Sequence, residues 1–230
     1  MTVPATAAED AAGHRARLRD RLFVGGADAL QDYELLEYLL ALAIPRRDTK
    51  PLAKALMREF GGLSGVMTAA PEDIARIKGM GETSVAAIKA AHGVALRLLK
   101  TETSARPVLG NWQALLDYLR ADMAHGKTER VRVLHLDSRN RLVRDEVMNE
   151  GTVDEAPVYA REIVRRALQL GSAAVILVHN HPSGDASPSK ADIEITRQVA
   201  TALKPLGISL HDHIVMARGG HTSLRAQGLI

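Results

Sequence analysis

Residues 175–192 read Val-Ile-Leu-Val-His-Asn-His-Pro-Ser-Gly-Asp-Ala-Ser-Pro-Ser-Lys-Ala-Asp. The opening apolar run, three of its four residues β-branched, reads as a buried strand that ends in two histidines. Side chains alternate between the two faces of a strand, so His179 and His181 share one face and Asn180 points away. Pro182 stops further ladder pairing, and the turn chemistry of Pro-Ser-Gly-Asp can reverse the chain over the strand end. Ser187 is placed to cap a helix running to about Leu203, with Pro188 at its first position. That puts Ser189 and Asp192 three residues apart on one helical face.

Two histidines and one carboxylate are the protein ligands of a catalytic zinc site whose fourth position is kept for water. Histidine binds in its neutral form, which its unperturbed pKa of about 6.5 allows at pH 7. The plainer alternative is a polar strand end, with Asp192 serving a capping box over Ser189-x-x-Asp192. A Ser/His/Asp triad through Ser183 is a third arrangement, but no G-x-S-x-G elbow is present and Ser183 follows a proline. The letters His-Asn-His also spell the name of a nuclease class, yet that name refers to residues separated in sequence.

Working outward, the period changes once along the chain. From Gly13 to Lys100 it is helical, as in 32–44, where Leu35, Leu36, Leu39, Leu40 and Ala43 recur at 3.6-residue spacing. Residues 1–12 are small and polar and read as a disordered tail. Thr-Glu-Thr-Ser-Ala-Arg-Pro at 101–107 reads as a linker. Beyond it come a helix through 111–123, a hairpin over 129–151, a helix over 156–171 with Pro157 near its first turn, the buried strand, a further helix and a last strand pair. This predicts an α+β chain: an all-helical domain over 13–100, then a mixed sheet flanked by helices over 108–230.

The chain has 230 residues, 46% hydrophobic and 25% charged, enough for a sizeable core in one or two domains. It has no cysteine, which removes disulfides, thiolate metal ligands and cysteine nucleophiles together. No apolar run approaches the roughly 20 residues that cross a bilayer, and no secretory segment opens the sequence, so the expectation is a cytoplasmic protein without membrane partners. Net charge is only +3 and aromatic residues make up 3%, which argues against polycationic arms and aromatic base-stacking platforms.

The spacing His179-x-His181, seven residues, Ser189, two residues, Asp192 resembles the JAMM signature of MPN-domain zinc metalloproteases at every fixed position of that portion. The longer context, including Leu-His-Leu-Asp-Ser-Arg-Asn-Arg-Leu at 134–142 and Leu-His-Asp-His-Ile-Val-Met at 210–216, resembles the bacterial RadC family over about residues 13–230. The resemblance implies an MPN/JAMM fold for the second domain, Zn2+ held by His179, His181 and Asp192, and Ser189 steadying an oxyanion. It implies hydrolysis of a peptide or isopeptide bond in a protein substrate; the rival is a non-catalytic module linked to DNA repair with a structural metal. The signature also calls for an upstream glutamate that moves a proton. Glu129, just before the first strand, matches that place, with Glu146 and Glu150 as alternatives. His211 and His213 read as a sheet pair, with hydrogen bonds near the site as their part.

Residues 74–91 resemble a helix-hairpin-helix motif. The glycines of such a turn, here Gly79 and Gly81, let backbone N–H groups approach a phosphate near a helix N-terminus, with Lys78, Thr83 and Ser84 adding contacts. Contact with DNA there would be independent of sequence. The alternative is a packed helical hairpin in which Gly79 ends one helix and the next begins near Glu82.

Overall fold

The structure, a computed structural model, describes residues 7–45, 47–105, 108–150 and 160–230. The chain divides into two compact units, Met1–Ala95 and Leu96–Ile230.

In the first unit the periodic segments form α1 (Ala7–Gly25), α2 (Asp32–Ala43), α3 (Lys50–Phe60), α4 (Leu63–Thr68) and α5 (Pro71–Ala75), followed by the start of α6 (Glu82–Ala105). Gln31 and Glu34 form a reciprocal capping box at α2, and Pro51 sits in the first turn of α3. Faces of α2 to α6 close a core around Leu36, Leu40, Leu56, Val66, Ile74 and Ile88, all nearly or fully buried. Two departures from expectation concern boundaries. Ala7 already belongs to α1, so the disordered tail expected over 1–12 does not extend past residue 6, and residues 1–6 lie outside the described residues. Likewise α6 continues through residues 101–105, where a linker was expected, because Thr-Glu-Thr-Ser-Ala contains no helix breaker. Residues 106–107 lie outside the described residues.

The second unit is the mixed sheet with flanking helices, an α+β fold. Its elements are α7 (Trp112–Met123), β1 (Arg130–Leu136), β2 (Leu142–Glu150), α8 (Ala160–Gln169), β3 (Ala174–Asn180), α9 (Lys190–Leu203), β4 (Ser209–Ala217) and β5 (Gly220–Ser223). Pro157 lies outside the described residues. The five strands are ordered β2-β1-β3-β4-β5, with β3 and β4 parallel and the other pairs antiparallel. Strand β3 is central and buried along its whole length, as its unbroken apolar run requires. Its alternating side chains supply two cores. Ile176 and Val178 pack with Leu134, Leu136, Ile214, Met216 and α7. Val175 and Leu177 pack on the other face with Val133 of β1, Ile163 and Ala167 of α8, and Val199 and Leu203 of α9. By the same alternation His179 belongs to the α9 face and Asn180 to the α7 face. No helix among the described residues is long and apolar enough to cross a membrane.

Candidate metal centre

Strand β3 delivers both histidines at its C-terminal end. His179 stands across the ladder from Val131 of β1 and is 1% exposed, while the His181 N–H donates to the Met216 carbonyl at 2.8 Å and so carries the pairing with β4 one residue beyond the strand. The Pro182–Asp185 turn, with Gly184 at φ 91°, then folds back, and the Asp185 carbonyl accepts from His181 Nδ1 at 2.9 Å.

Helix α9 supplies the carboxylate. Its N-cap is Ser189, not Ser187 as the Pro188 position suggested: the Ser189 hydroxyl accepts from the Asp192 N–H at 3.1 Å, and Asp192 Oδ2 accepts from the Ser189 N–H at 2.7 Å. Ser187 instead donates its N–H to Asp185 Oδ1 at 2.9 Å. The capping box and the ligand set are alternatives in the sequence; in the structure the carboxylate that closes the capping box also stands beside both histidines. Asp192 Oδ1 is 3.2 Å from His179 Nε2 and Asp192 Oδ2 is 3.6 Å from His181 Nε2, with the two Nε2 atoms 2.9 Å apart. Among the described residues, His179, His181 and Asp192 are the group whose ligand atoms gather within 4.8 Å and could hold a metal ion.

A buried chain of hydrogen bonds sets the His179 ring. Thr196, one turn beyond Asp192 on α9, donates its hydroxyl proton to the Asp192 carbonyl, so it must accept from His213 Nδ1 at 2.5 Å. Burial pushes the His213 imidazole down to about 3, so it is neutral, and its Nε2 is then an acceptor for His179 Nδ1–H at 2.8 Å. His179 Nε2 is left with a bare lone pair. His181 reaches the same state, because a carbonyl can only accept from its Nδ1. Two imidazole lone pairs and a carboxylate thus converge with no donor of their own, an arrangement that fits a cation.

Burial alone would raise the Asp192 carboxyl; where the two Nε2 atoms carry protons in place of a cation, their hydrogen bonds hold it well below the usual carboxylate range. The hydrogen bond to Asp192 raises His181 against the opposing effect of burial, with further help from the Asp185 carbonyl and from the charges of Asp192 and Glu129.

Glu129 directly precedes β1 and shares a face with Val131 and Val133. Continuing the β1–β3 register past Val131–His179 sets it opposite His181, and its charge reaches that ring. The alternatives lie elsewhere. Glu146 is ion-paired with Arg166, and Glu150 ends β2 opposite Arg130 with its side chain outside the described residues. His211 bonds Asn140 Oδ1 at 2.7 Å, away from the cluster. Sequence reasoning misses the parts played by Thr196 and Asn180, and only the alternation at 211–213 hints at His213.

In the first unit, Lys78 is exposed and Gly79 has φ 102°. Arg47, also unassigned from sequence, covers this turn: a Cβ on Gly79 would stand 2.9 Å from its guanidinium. Gly81 has no positive φ, and a Cβ there would meet nothing within 4 Å. It is placed instead at the entrance to α6, its N–H donating to Ser84 Oγ at 2.9 Å.

Residues 109–229, which hold the sheet and every member of the cluster, match the family of the RadC-like JAB domain. This chain belongs to the RadC family. Residues 11–86 match the UPF0758 N-terminal family, which accounts for most of the helical unit. A UPF0758 protein of Rhodobacter capsulatus is 50% identical over 213 residues, covering 93% of this chain and 100% of the relative. Another from Ruegeria pomeroyi is 47% identical over 217 residues, covering 94% and 97%. The likeness to these relatives thus extends over both units, and the second is a module of the JAMM/MPN type.

Proposed function

We propose that the RadC-like domain is a zinc-dependent hydrolase of peptide or isopeptide bonds. The observation that carries this reading is the convergence of His179 Nε2, His181 Nε2 and the Asp192 carboxylate, each held by a second bond that leaves its lone pair toward the others. JAB domains are often metallohydrolases, and a nitrogen and oxygen ligand set of three suits zinc with a position left open. Bound there, the metal would supply a Lewis acid that polarises the substrate carbonyl and makes water a nucleophile near neutral pH.

The chain's own residues do the rest. Glu129 takes the proton of the attacking water and returns it to the leaving amine. The Ser189 hydroxyl, whose oxygen already accepts from the Asp192 N–H, keeps its proton to donate to the carbonyl oxygen as negative charge develops. His213 and Thr196 hold the His179 ring in the tautomer that binds metal.

The test is Glu129→Gln, nearly isosteric and not a ligand. Zinc content stays at one per chain while cleavage of a responsive fluorogenic peptide or isopeptide falls by about 10² to 10⁴. A wild-type protein loaded with zinc yet inert across a broad substrate library would favour a structural metal in a DNA-associated module.

For the helical unit, the cation of Arg47 over the Gly79 turn supports contact with a DNA backbone, independent of sequence, through Lys78, Arg47 and the turn amides. Salt-dependent retention of duplex DNA that survives Lys78→Ala with Arg47→Ala would refute it.

A further inference from the structure

We infer that Asn180, the residue between the two histidines, is the positioning residue for Glu129. The inference rests on reading Glu129 as the proton carrier. Asn180 points to the α7 face of β3, opposite the ligands, and is 1% exposed among the apolar side chains of that core. A buried amide belongs in such surroundings only if both its ends are bonded, and both are. Its Oδ1 accepts from the Arg130 N–H at 2.9 Å, and its Nδ2 donates to the Thr128 carbonyl at 3.0 Å. Those two groups belong to the peptide units on either side of Glu129. One side chain therefore brackets the glutamate from both directions.

The position of this clamp matters as much as its bonds. The β1–β3 ladder ends at Val131–His179, so beyond it the Asn180 amide continues the pairing that the backbone has stopped making. Glu129 is thereby tied to the segment between the two ligands, and a shift of β3 carries ligands and glutamate together. The connection from α7 also closes over the amide. A Cβ on Gly126 would stand 3.0 Å from Asn180 Nδ2 and 3.4 Å from both the Met123 and Thr128 carbonyls, so a side chain there would press the amide by a few tenths of an ångström. The strand's alternation divides the labour: His179 and His181 face the metal, and Asn180 reaches through the sheet to hold the residue that serves it.

The experiment uses the full chain loaded with zinc. Asn180→Ala is expected to keep its zinc, to speed hydrogen exchange of the Arg130 amide at least tenfold, and to lower kcat by about 10- to 100-fold with KM little changed. Placed on Glu129→Gln, the same change costs no further rate, because a residue that acts through Glu129 has nothing left to act on. Asn180→Asp, which keeps an acceptor for Arg130 but loses the donor to Thr128, falls between. Should Asn180→Ala fail to fold, Gly126→Ala disturbs the amide from the opposite side and is expected to give the same pattern. Unchanged Arg130 exchange, or a rate loss equal in both backgrounds, overturns the inference. A wild-type protein with no hydrolysis would sink the hydrolase reading instead, and the exchange measurement alone would then uphold or refute the clamp.

Discussion

Two polar clusters, each partly buried, sit against the central strands of the sheet unit on opposite faces, and they differ in one respect. On the α7 face, Arg132 reaches Asp122 Oδ2 at 2.6 Å, Asp145 Oδ1 at 3.3 Å and the Tyr118 hydroxyl at 3.0 Å, and Tyr118 donates to Asp145 Oδ2 at 2.5 Å. Lys100 adds a second cation 3.4 Å from Asp145. This cluster contains its own positive charge and is closed. On the α9 face, His179, His181 and Asp192 present acceptors to one another, and their outer hydrogen bonds go to Thr196, His213, Asp185 and Ser189 without bringing a cation. A buried group of acceptors is costly unless its charge is balanced, so the second cluster calls for a cation from outside where the first does not. The difference separates a self-neutralised network from a group that could hold a metal ion, without appeal to family.

The largest expected effect tests that contrast directly. His179→Ala or Asp192→Ala is expected to abolish zinc retention, from close to one ion per chain to background, because two remaining ligands do not make a tight site. Arg132→Met leaves retention intact. Metal analysis after gel filtration decides it, and full zinc in His179→Ala would remove the distinction between the clusters.

Stability reverses the ranking. Arg132→Met leaves Asp122 and Asp145 buried without their guanidinium and is expected to cost about 3–5 kcal/mol in denaturant unfolding of the metal-free protein. Replacing the whole closed cluster by apolar residues of similar volume costs far less, because no charge is then stranded. Zinc added at a thousand times its Kd stabilises the wild type by about 4 kcal/mol and the His179→Ala protein by much less.

Sequence periodicity resolves some of these features and not others for a physical reason. The order of strands and helices and the shared face of His179 and His181 follow from local alternation, which needs no knowledge of partners, whereas the choice of Glu129 rests on the resemblance to the signature. The closed cluster arises where α7, β1 and β2 meet, the His213–Thr196 chain and the Asn180 clamp where β1, β3, β4 and α9 meet, and those partners are set by register rather than spacing. His213 is level with Leu177 in the parallel pairing, a consequence of the crossover through α9. The cap of α9 is ambiguous in sequence because Ser-Pro-Ser offers two serines, and the preference for proline at the first position favours Ser187. Ser189 wins because only then does Asp192 occupy the third helical position, where it closes the capping box and faces the histidines together.

A smaller effect lies along the pH axis. Arg132 keeps its proton at any ordinary pH, so the closed cluster adds little pH dependence. His135 is fully buried, its Nδ1 bonded to Ser172 at 2.9 Å, and burial pushes its pKa below the ordinary value. The unfolded chain then binds more protons as pH falls below about 6.5, and stability declines with acidity by at most about 1.4 kcal/mol per pH unit from this residue. His135→Gln should flatten that slope in urea titrations of the metal-free protein between pH 6.5 and 5; an unchanged slope would assign the acid sensitivity to other groups.

The smallest effect separates the two duties of the capping box. Ser189→Ala removes the hydroxyl that accepts the Asp192 N–H, and the loss of such a cap typically costs about 1 kcal/mol. Asp192 keeps its own bond from the Ser189 backbone N–H, which the substitution leaves in place, so its carboxylate remains directed at the histidines and zinc retention is expected to persist. Ser187→Ala serves as the control: its backbone donation to Asp185 is untouched, the bond its hydroxyl gives the same carboxylate is exposed to solvent, and its stability should match the wild type within about 0.5 kcal/mol. Equal losses at both positions would mean that α9 begins earlier than Lys190. A zinc loss in Ser189→Ala as complete as in Asp192→Ala would mean that the cap and the metal ligand cannot be separated, and that the open cluster depends on the helix end as fully as the closed one depends on Arg132.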